Sequence, residues 1–219
     1  QILFAFPAPI ILALAFNEIK NLWFKKMGQT ISFLPHFIST VVIAGLVTNF
    51  LSPSNGIINN LLGVFGIDPI SFLLVPEYFR TIFVSMGIWK GVGWGTIIYL
   101  AAIAGINQEL YEAASIDGAS KLRKVWHVTL PGIMPVIVIL FILQLGDILS
   151  VGAETIILLY NPVTYETADV LSTFVYRRGL LSGDFSFAAA VDLFNSVAGL
   201  ILVFSANAIS KKMTETSLW

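Results

Sequence analysis

Five long apolar segments constrain the fold more than any other feature of this sequence. They lie at residues 2–16, 31–51, 81–106, 131–149 and 187–210. A helix of about 20 apolar residues crosses a bilayer, and it satisfies its own backbone hydrogen bonds in lipid. The segments do not alternate between polar and apolar residues, as the strands of a membrane barrel do. We therefore predict an all-α, polytopic transmembrane helical bundle of about five spans, forming a single domain over residues 1–219.

Composition agrees with a membrane-embedded chain and excludes several functions. Hydrophobic residues make up 57% of the chain and charged residues 11%, whereas about a quarter of the residues in soluble domains are charged. The net charge of −1 provides no basic surface for a nucleic-acid partner. The absence of cysteine excludes disulfides and thiolate metal sites. His36 and His127 are too far apart in sequence to indicate a metal site, and we interpret both as structural.

The first apolar segment is shorter than a membrane span. It has about 15 residues, whereas a span needs about 20. No basic region precedes it, as one would in a signal peptide, and the first residue is Gln1. We expect that the chain begins inside a helix and is incomplete at its amino terminus.

Basic residues are concentrated on one side of the predicted membrane. Every second loop and the tail carry them, at Lys20, Lys25, Lys26, Lys121, Arg123, Lys124, Lys211 and Lys212. Loops rich in lysine and arginine favour the cytoplasmic side. The distribution predicts cytoplasmic loops at 17–30 and 107–130 and a cytoplasmic carboxyl terminus.

Residues 107–131 have the pattern of two short helices joined by a turn. Glu109 and Glu112 lie near the start of the first helix, where its dipole favours acidic side chains. Gly118 permits the left-handed backbone that ends many helices. Pro131 is predicted to open the next membrane helix, where a missing N–H costs little. An amphipathic helical element at a membrane surface is typical of a docking site for a partner.

This loop resembles the EAA loop of type I binding-protein-dependent ABC importer permeases. The family pattern is Glu-Ala-Ala, three residues, Gly, nine residues, Ile, one residue and Leu-Pro. The matching positions here are Glu112, Ala113, Ala114, Gly118, Val128, Leu130 and Pro131. Val128 stands where the family has Ile, which conserves apolar bulk.

The resemblance implies a role for the loop and a set of partners. In that family the loop docks on a cytoplasmic ATPase, which implies coupling through Glu112, Ala113, Ala114, Asp117, Gly118, Leu130 and Pro131. It also implies a type I permease fold, a non-catalytic chain without a cofactor of its own, and ATP and Mg²⁺ bound by two separate ABC ATPase subunits. The further partners are a similar but distinct second permease, which makes a heterodimer, and an extracytoplasmic solute-binding protein at the bacterial cell (inner) membrane. Consistent with this, the chain has no Gly-x-x-x-x-Gly-Lys-Ser/Thr loop for ATP.

Within the family the chain most resembles carbohydrate-uptake permeases, especially those for oligosaccharides or uronate-containing glycans. Residues 6–9 (Phe-Pro-Ala-Pro) and the tail from 206 to 219 carry this likeness. The resemblance implies import of an oligosaccharide or polysaccharide fragment by alternating access. An importer of an amino acid or peptide is the alternative within the same superfamily.

Two other functional classes are open alternatives. A channel or ion-coupled carrier needs a filter loop or a buried ion relay, and the isolated charges in the predicted spans do not form one. A membrane-embedded enzyme needs a cluster of catalytic groups or a nucleophile motif such as Gly-x-Ser-x-Gly, which is absent.

The third apolar segment contains the main candidates for a solute pathway. Residues 89–95 read Trp-Lys-Gly-Val-Gly-Trp-Gly, and the three glycines are predicted to loosen the helix. The corresponding stretch of maltose-type permeases lines the sugar site, so the resemblance implies that Trp94, Trp89 and Lys90 face the solute. Alternatively, the tryptophans anchor the helix at the interface and Lys90 extends to the outer surface. A cavity-facing Lys90 would favour an acidic glycan.

The fourth segment adds polar candidates. Gln144 and Asp147 are three residues apart and are predicted to share one helix face, and Ser150 continues the polar trend. We predict that these residues line the pathway and bond sugar hydroxyls. Pairing of Asp147 with Lys90 or Arg80 in a structural ion pair is an equally open interpretation.

Overall fold

The structure, a computed structural model, describes residues 2–148 and 152–214. This part of the chain is helical and contains no β-strand. The α-helices in chain order are α1 (Ile2–Ala5), α2 (Pro7–Glu18), α3 (Leu22–Phe33), α4 (Thr40–Phe50), α5 (Ile57–Val64), α6 (Pro76–Ala104), α7 (Gln108–Ile116), α8 (Lys121–Lys124), α9 (Leu130–Gly146), α10 (Ala153–Leu159), α11 (Tyr165–Ala168), α12 (Leu171–Val175) and α13 (Phe185–Thr214). Short 3₁₀ turns occupy Leu34–Phe37, Phe72–Leu74 and Pro162–Thr164, and π turns occupy Val125–Thr129 and Tyr176–Leu181.

Three helical runs among the described residues are long and apolar enough to cross a membrane. They are Pro76–Ala104, Lys121–Gly146 and Phe185–Lys212. The pair Leu22–Phe37 and Thr40–Phe50 makes a fourth if it is counted as one broken span, and Ile2–Glu18 is a shorter apolar helix. All five predicted apolar segments are therefore largely helical. The fifth lies within α13, and the third overlaps α6 except for its last two residues, because α6 ends at Ala104.

The second predicted span is wrong as a single helix over 31–51. Helix α3 already begins at Leu22, where Asn21 accepts hydrogen bonds from the backbone N–H groups of Trp23 and Phe24 at 3.0 and 3.2 Å. Pro35 lies in the 3₁₀ turn that ends this run, because proline lacks the N–H that helix continuation requires. Ser39 then caps α4 by accepting a bond from the Val42 N–H. Most of the predicted loop 17–30 is therefore helix.

The fourth predicted span has the wrong boundaries at both ends. The helical run starts at Lys121 and passes through the π turn Val125–Thr129 into α9. Pro131 is the second residue of α9 and does not open the span. The Leu130 N–H donates to the Val125 carbonyl five residues back, so the hydrogen-bond ladder changes register just before the proline, which has no N–H to donate. At the other end α9 stops at Gly146 rather than at residue 149.

One compact unit contains the described residues of Gln1–His36, Ile88–Gly146 and Leu200–Trp219. Its core consists of buried side chains at Ala13, Tyr99, Ile103, Ile106 and Ile133. This unit contains α7 and α8, and it therefore positions the loop singled out in the sequence.

Within this unit, Gly93 allows close contact between two helices. A Cβ atom on Gly93 would lie 2.0 Å from the backbone oxygen of Ser32 on α3, so any other residue would separate the helices. The Thr96 hydroxyl adds a hydrogen bond to the Pro9 carbonyl at 3.2 Å. The glycines of residues 89–95 do not interrupt α6, which is continuous from Pro76 to Ala104, and Gly93 serves its packing. That they loosen the helix stays a prediction.

The second compact unit contains the described residues of Phe37–Gly87 and Asp147–Gly199. Its core includes Ile43, Ala44, Phe79, Met86, Ile156, Leu159 and Ala168. Asn59 fastens one of its loops: the side-chain amide donates to the carbonyls of Leu51, Ser52 and Ile70, and its oxygen accepts from the Ile70 N–H at 2.8 Å. Because these bonds satisfy its amide, Asn59 is buried at low cost.

Candidate coupling loop and solute pathway

Helix α7 begins with a side-chain cap. The Asn107 side-chain oxygen accepts a bond from the Glu109 N–H at 3.0 Å, and the Asn107 amide donates to the Glu109 carboxylate at 3.0 Å. Glu109 lies in the first turn, where a negative charge meets the positive end of the helix dipole. The predicted start of the first loop helix is confirmed.

The end of α7 is a Schellman motif centred on Gly118. The Ala119 N–H donates to the Ala114 carbonyl at 2.9 Å, and the Gly118 N–H donates to the Ser115 carbonyl at 3.1 Å. Gly118 has a φ of 71°, in the left-handed region. The predicted turn at Gly118 is confirmed, and it reverses the chain into α8, which Ser120 caps by accepting from the Arg123 N–H.

Two side-chain bonds tie α7 to the run Lys121–Gly146. The hydroxyls of Tyr111 and Thr129 lie 2.9 Å apart, and Thr129 is buried. The Lys124 ammonium donates to the Ser115 hydroxyl at 2.6 Å. The sequence reasoning did not identify these residues, because partners 18 and 9 positions apart carry no local signal. The two bonds therefore connect α7 directly to a candidate membrane span.

The outward surface of α7 combines acidic, small and apolar residues. Glu112, Ala113 and Asp117 are exposed, and Ala114 is half-buried. Ile116 is 87% exposed. The other predicted coupling residues are placed differently: Gly118 and Pro131 are exposed and Leu130 is half-buried. Glu112, Ala113 and Ile116 share one face of the helix through their spacing.

Trp94 and Lys90 are one turn apart on α6. The Trp94 ring stacks on the imidazole of His36, with ring centroids 4.5 Å apart and an interplanar angle of 3°. Trp94 is nevertheless 47% exposed, and Lys90 is half-buried. Trp89 is 44% exposed. The structure thus brings Trp94 and Lys90 to one side of the helix and gives His36 a packing role that agrees with its structural interpretation.

The structure does not bring the polar candidates of the fourth segment together on one helix. Gln144 is half-buried within α9, but Asp147 follows the last residue of that helix and is exposed. The prediction that the two share a helix face is wrong, because α9 ends at Gly146. Ser150 lies outside the described residues. A role of Gln144 and Asp147 in the pathway stays a prediction.

An ion pair in the second unit was also missed by the sequence reasoning. The Arg177 guanidinium donates two hydrogen bonds to the Asp169 carboxylate, at 2.9 and 2.5 Å, and it lies 4.5 Å from the centroid of the Tyr165 ring. Asp169 also accepts from the Thr173 hydroxyl at 2.5 Å. The hydrogen bond from Arg177 is the main cause that lowers the pKa of Asp169 below its ordinary value, against an opposing effect of partial burial. The bidentate geometry fixes the orientation of both groups.

The fold and the coupling-loop geometry define a helical membrane permease, and comparison with known proteins identifies its family. The model of the binding-protein-dependent transport system inner membrane component matches residues 5–215. The chain belongs to this family. The predicted family, that of the binding-protein-dependent ABC importer permeases, is confirmed.

Two relatives with known names are similar to this chain over nearly its whole length. The polygalacturonan/rhamnogalacturonan transport system permease YteP of Bacillus subtilis (strain 168) is 46% identical over 98% of this chain and 67% of its own length. Protein LplB of the same organism is 43% identical over the whole chain and 69% of its own length. Both similarities extend over nearly all of the present sequence.

A solved structure confirms the fold. A chain of a bacterial alginate ABC transporter, crystallised in complex with its alginate pentasaccharide-bound periplasmic protein, superposes with a TM-score of 0.97 at 50% identity, covering 99% of this chain and 75% of that chain. The all-α bundle of the type I ABC importer permease is therefore the fold of this protein.

Proposed function

We propose that this chain is the transmembrane permease subunit of an ATP-driven importer that takes up a carboxylate-bearing oligosaccharide by alternating access. The observation that carries the proposal is the exposed face of α7, joined to a candidate membrane span by the Tyr111–Thr129 bond at 2.9 Å. A surface that docks on an ATPase and is fastened to a span can pass a domain movement to the membrane helices. The chain itself performs no chemistry.

The proposed substrate class follows from the relatives. The polygalacturonan/rhamnogalacturonan permease is 46% identical, and the transporter described as importing the acidic polysaccharide alginate is 51% identical. A half-buried Lys90 within a membrane helix agrees with an anionic cargo, because charges inside spans are costly and tend to serve function.

The proposed assembly contains two ABC ATPase subunits, a similar but distinct second permease, and an extracytoplasmic binding protein. ATP and Mg²⁺ belong to the ATPases. The family description supports the binding protein. We also propose a cytoplasmic carboxyl terminus, on the same side as the coupling loop. Its support is that Lys211 and Lys212 lie in the last turn of α13 and that positive residues favour that side.

The test is ATPase activity of the reconstituted complex with its binding protein, measured with uronate-containing and neutral oligosaccharides. We expect stimulation by the acidic sugars, and loss of that stimulation in Glu112→Lys. Lys26→Glu is the matched control, since it also changes charge by two units at an exposed position outside the loop. An assembled complex with basal activity that no sugar stimulates would overturn the carbohydrate assignment.

A further inference from the structure

A cavity of about 490 Å³ lies in the first unit, beside the coupling loop. Its walls come from the end of α2, from α3, from the last turns of α6, and from α7 and α8. The residues that matter to its chemistry are Lys25, Lys121, Lys124, Glu18, Leu100 and Ile103. Two other lining contacts are already described: Tyr111 and Lys124 also make the bonds that tie α7 to the run Lys121–Gly146.

The cavity is positively charged. Among the described residues that line it, three are lysines and one is the acidic Glu18. Glu18 lies 3.9 Å from Lys121, but both side chains are well exposed, so their attraction is weak. Lys124 donates to the neutral Ser115 hydroxyl at 2.6 Å. The cavity therefore retains a surplus of positive charge with ammonium donors.

The opposite wall of the cavity is apolar. Leu100 and Ile103 line it, and both belong to the last turns of the candidate membrane span Pro76–Ala104. The cavity thus lies where a membrane helix ends and basic residues begin. An anionic headgroup with an attached acyl chain meets this combination of surfaces, and basic pockets between membrane helices bind such headgroups.

We propose that this cavity is a binding site for a phosphate-bearing anion at the membrane boundary. Lysine ammonium groups from α3 and α8 reach the phosphate, and the apolar wall accommodates the part of the ligand attached to it. Two sources supply this chemistry: an anionic phospholipid such as phosphatidylglycerol, in the leaflet that faces the coupling loop, and a soluble phosphate compound. A single bound ligand would contact both α3 and the α8 part of the coupling loop.

The lipid source is tested on the assembled transporter by native mass spectrometry, with phosphatidylglycerol titrated against phosphatidylcholine. Removing one lysine charge near an anionic surface costs about fivefold in affinity. We expect Lys25→Gln to weaken phosphatidylglycerol binding by that factor. Lys26→Gln is the matched control, because Lys26 is the next residue of α3 and does not line the cavity. Equal losses in both variants would show a general charge effect and overturn the site.

Ala104→Phe provides an independent variant that fills the cavity without changing its charge. We expect it to exclude the ligand, and retained binding would contradict the proposal. The soluble source is tested in phosphatidylcholine nanodiscs by titrating inorganic phosphate and glycerol 3-phosphate in a calorimeter. Binding in this arm that is lost in Lys25→Gln assigns the site to a soluble ligand. Absence of binding in both arms overturns the proposal, whereas sugar-stimulated ATPase activity of the same samples reports separately on the proposed function.

Discussion

Gly118 is the residue whose conformation most directly limits what the coupling loop tolerates. Its φ of 71° is left-handed, and beyond its two chain neighbours no described atom lies within 4 Å of a Cβ placed there. Substitution therefore carries a backbone cost alone, of about 1–2 kcal/mol for a residue with a Cβ. We expect Gly118→Ala to destabilise the end of α7 by that amount and to reduce sugar-stimulated ATPase activity of the assembled transporter.

Gly118→Asn is the matched variant for this prediction. Asparagine adopts the left-handed conformation more readily than alanine, so it should retain more stability and more stimulation. If alanine and asparagine have equal effects, backbone strain at Gly118 is not what the loop depends on.

The Asp169–Arg177 pair predicts a stability that depends on pH. The pKa of Asp169 is lowered in the folded protein, mainly by the hydrogen bond from Arg177. The stabilisation is therefore complete above the unfolded value near 3.8 and is lost as the pH falls through the lower folded value. We expect Asp169→Asn to lower stability by about 1 kcal/mol at neutral pH and to remove this part of the acid sensitivity, as measured by thermal unfolding in detergent.

The second ion pair in this region is the control. Arg178 and Asp184 are 3.5 Å apart, with 60% and 41% of their side chains exposed, and exposed pairs contribute little. Asp184→Asn should change neither the stability nor its pH dependence. A similar loss in both variants would mean that the bidentate geometry of Asp169 contributes nothing beyond surface charge.

At the residue scale, the features that could be predicted from the sequence are those set by neighbouring residues in the chain, such as the ends of α7. Glu109 in the first turn and Gly118 at the helix end follow from rules that act within a few residues. The bonds of Tyr111 to Thr129 and of Asp169 to Arg177 join different elements, and nothing in their local sequence indicates a partner.

At the element scale, the bond between Tyr111 and Thr129 joins α7 to the helical run that starts at Lys121. Without the tyrosine hydroxyl, the buried Thr129 hydroxyl keeps only a 3.5 Å contact with the Lys124 carbonyl. We expect Tyr111→Phe and Thr129→Val each to cost about 1 kcal/mol. Because they remove the same bond, the double variant should cost about as much as one of them.

A double-mutant cycle measures this coupling through thermal unfolding and through the sugar transported per ATP hydrolysed. We expect each single variant to lower that ratio while basal ATPase activity persists. Additive effects on stability would show that the two hydroxyls act independently.

Helix boundaries were the least predictable elements, for a physical reason. Hydropathy identifies an apolar run but does not register where the hydrogen-bond ladder is interrupted. Pro35 ends a helix inside the predicted second span, whereas Pro131 is accommodated after a π turn and ends nothing. The same residue type thus has opposite effects, and the surrounding backbone decides which one occurs.

At the scale of the whole molecule, much apolar surface of α13 is left uncovered by the described residues of this chain. Leu193, Phe194, Val197, Leu200 and Ile201 are each at least 50% exposed. A soluble protein would bury such a surface. Lipid tails are as apolar as these side chains, and we expect lipid, together with neighbouring subunits of the proposed assembly, to cover this surface.

At this scale, we expect Lys90 to affect the substrate selectivity of the assembled transporter. A half-buried ammonium within α6 attracts a carboxylate in the pathway more strongly than it would in bulk water. We expect Lys90→Gln to reduce the preference for uronate-containing over neutral oligosaccharides about tenfold, which corresponds to about 1.4 kcal/mol. Competitive uptake of the two sugars by proteoliposomes that contain the full complex measures this ratio.

Lys20→Gln removes an equal charge at an exposed loop position and should leave the ratio unchanged, because bulk solvent screens it. An unchanged ratio in Lys90→Gln, with uptake intact, would place Lys90 outside the solute pathway and leave the acidic preference to other subunits.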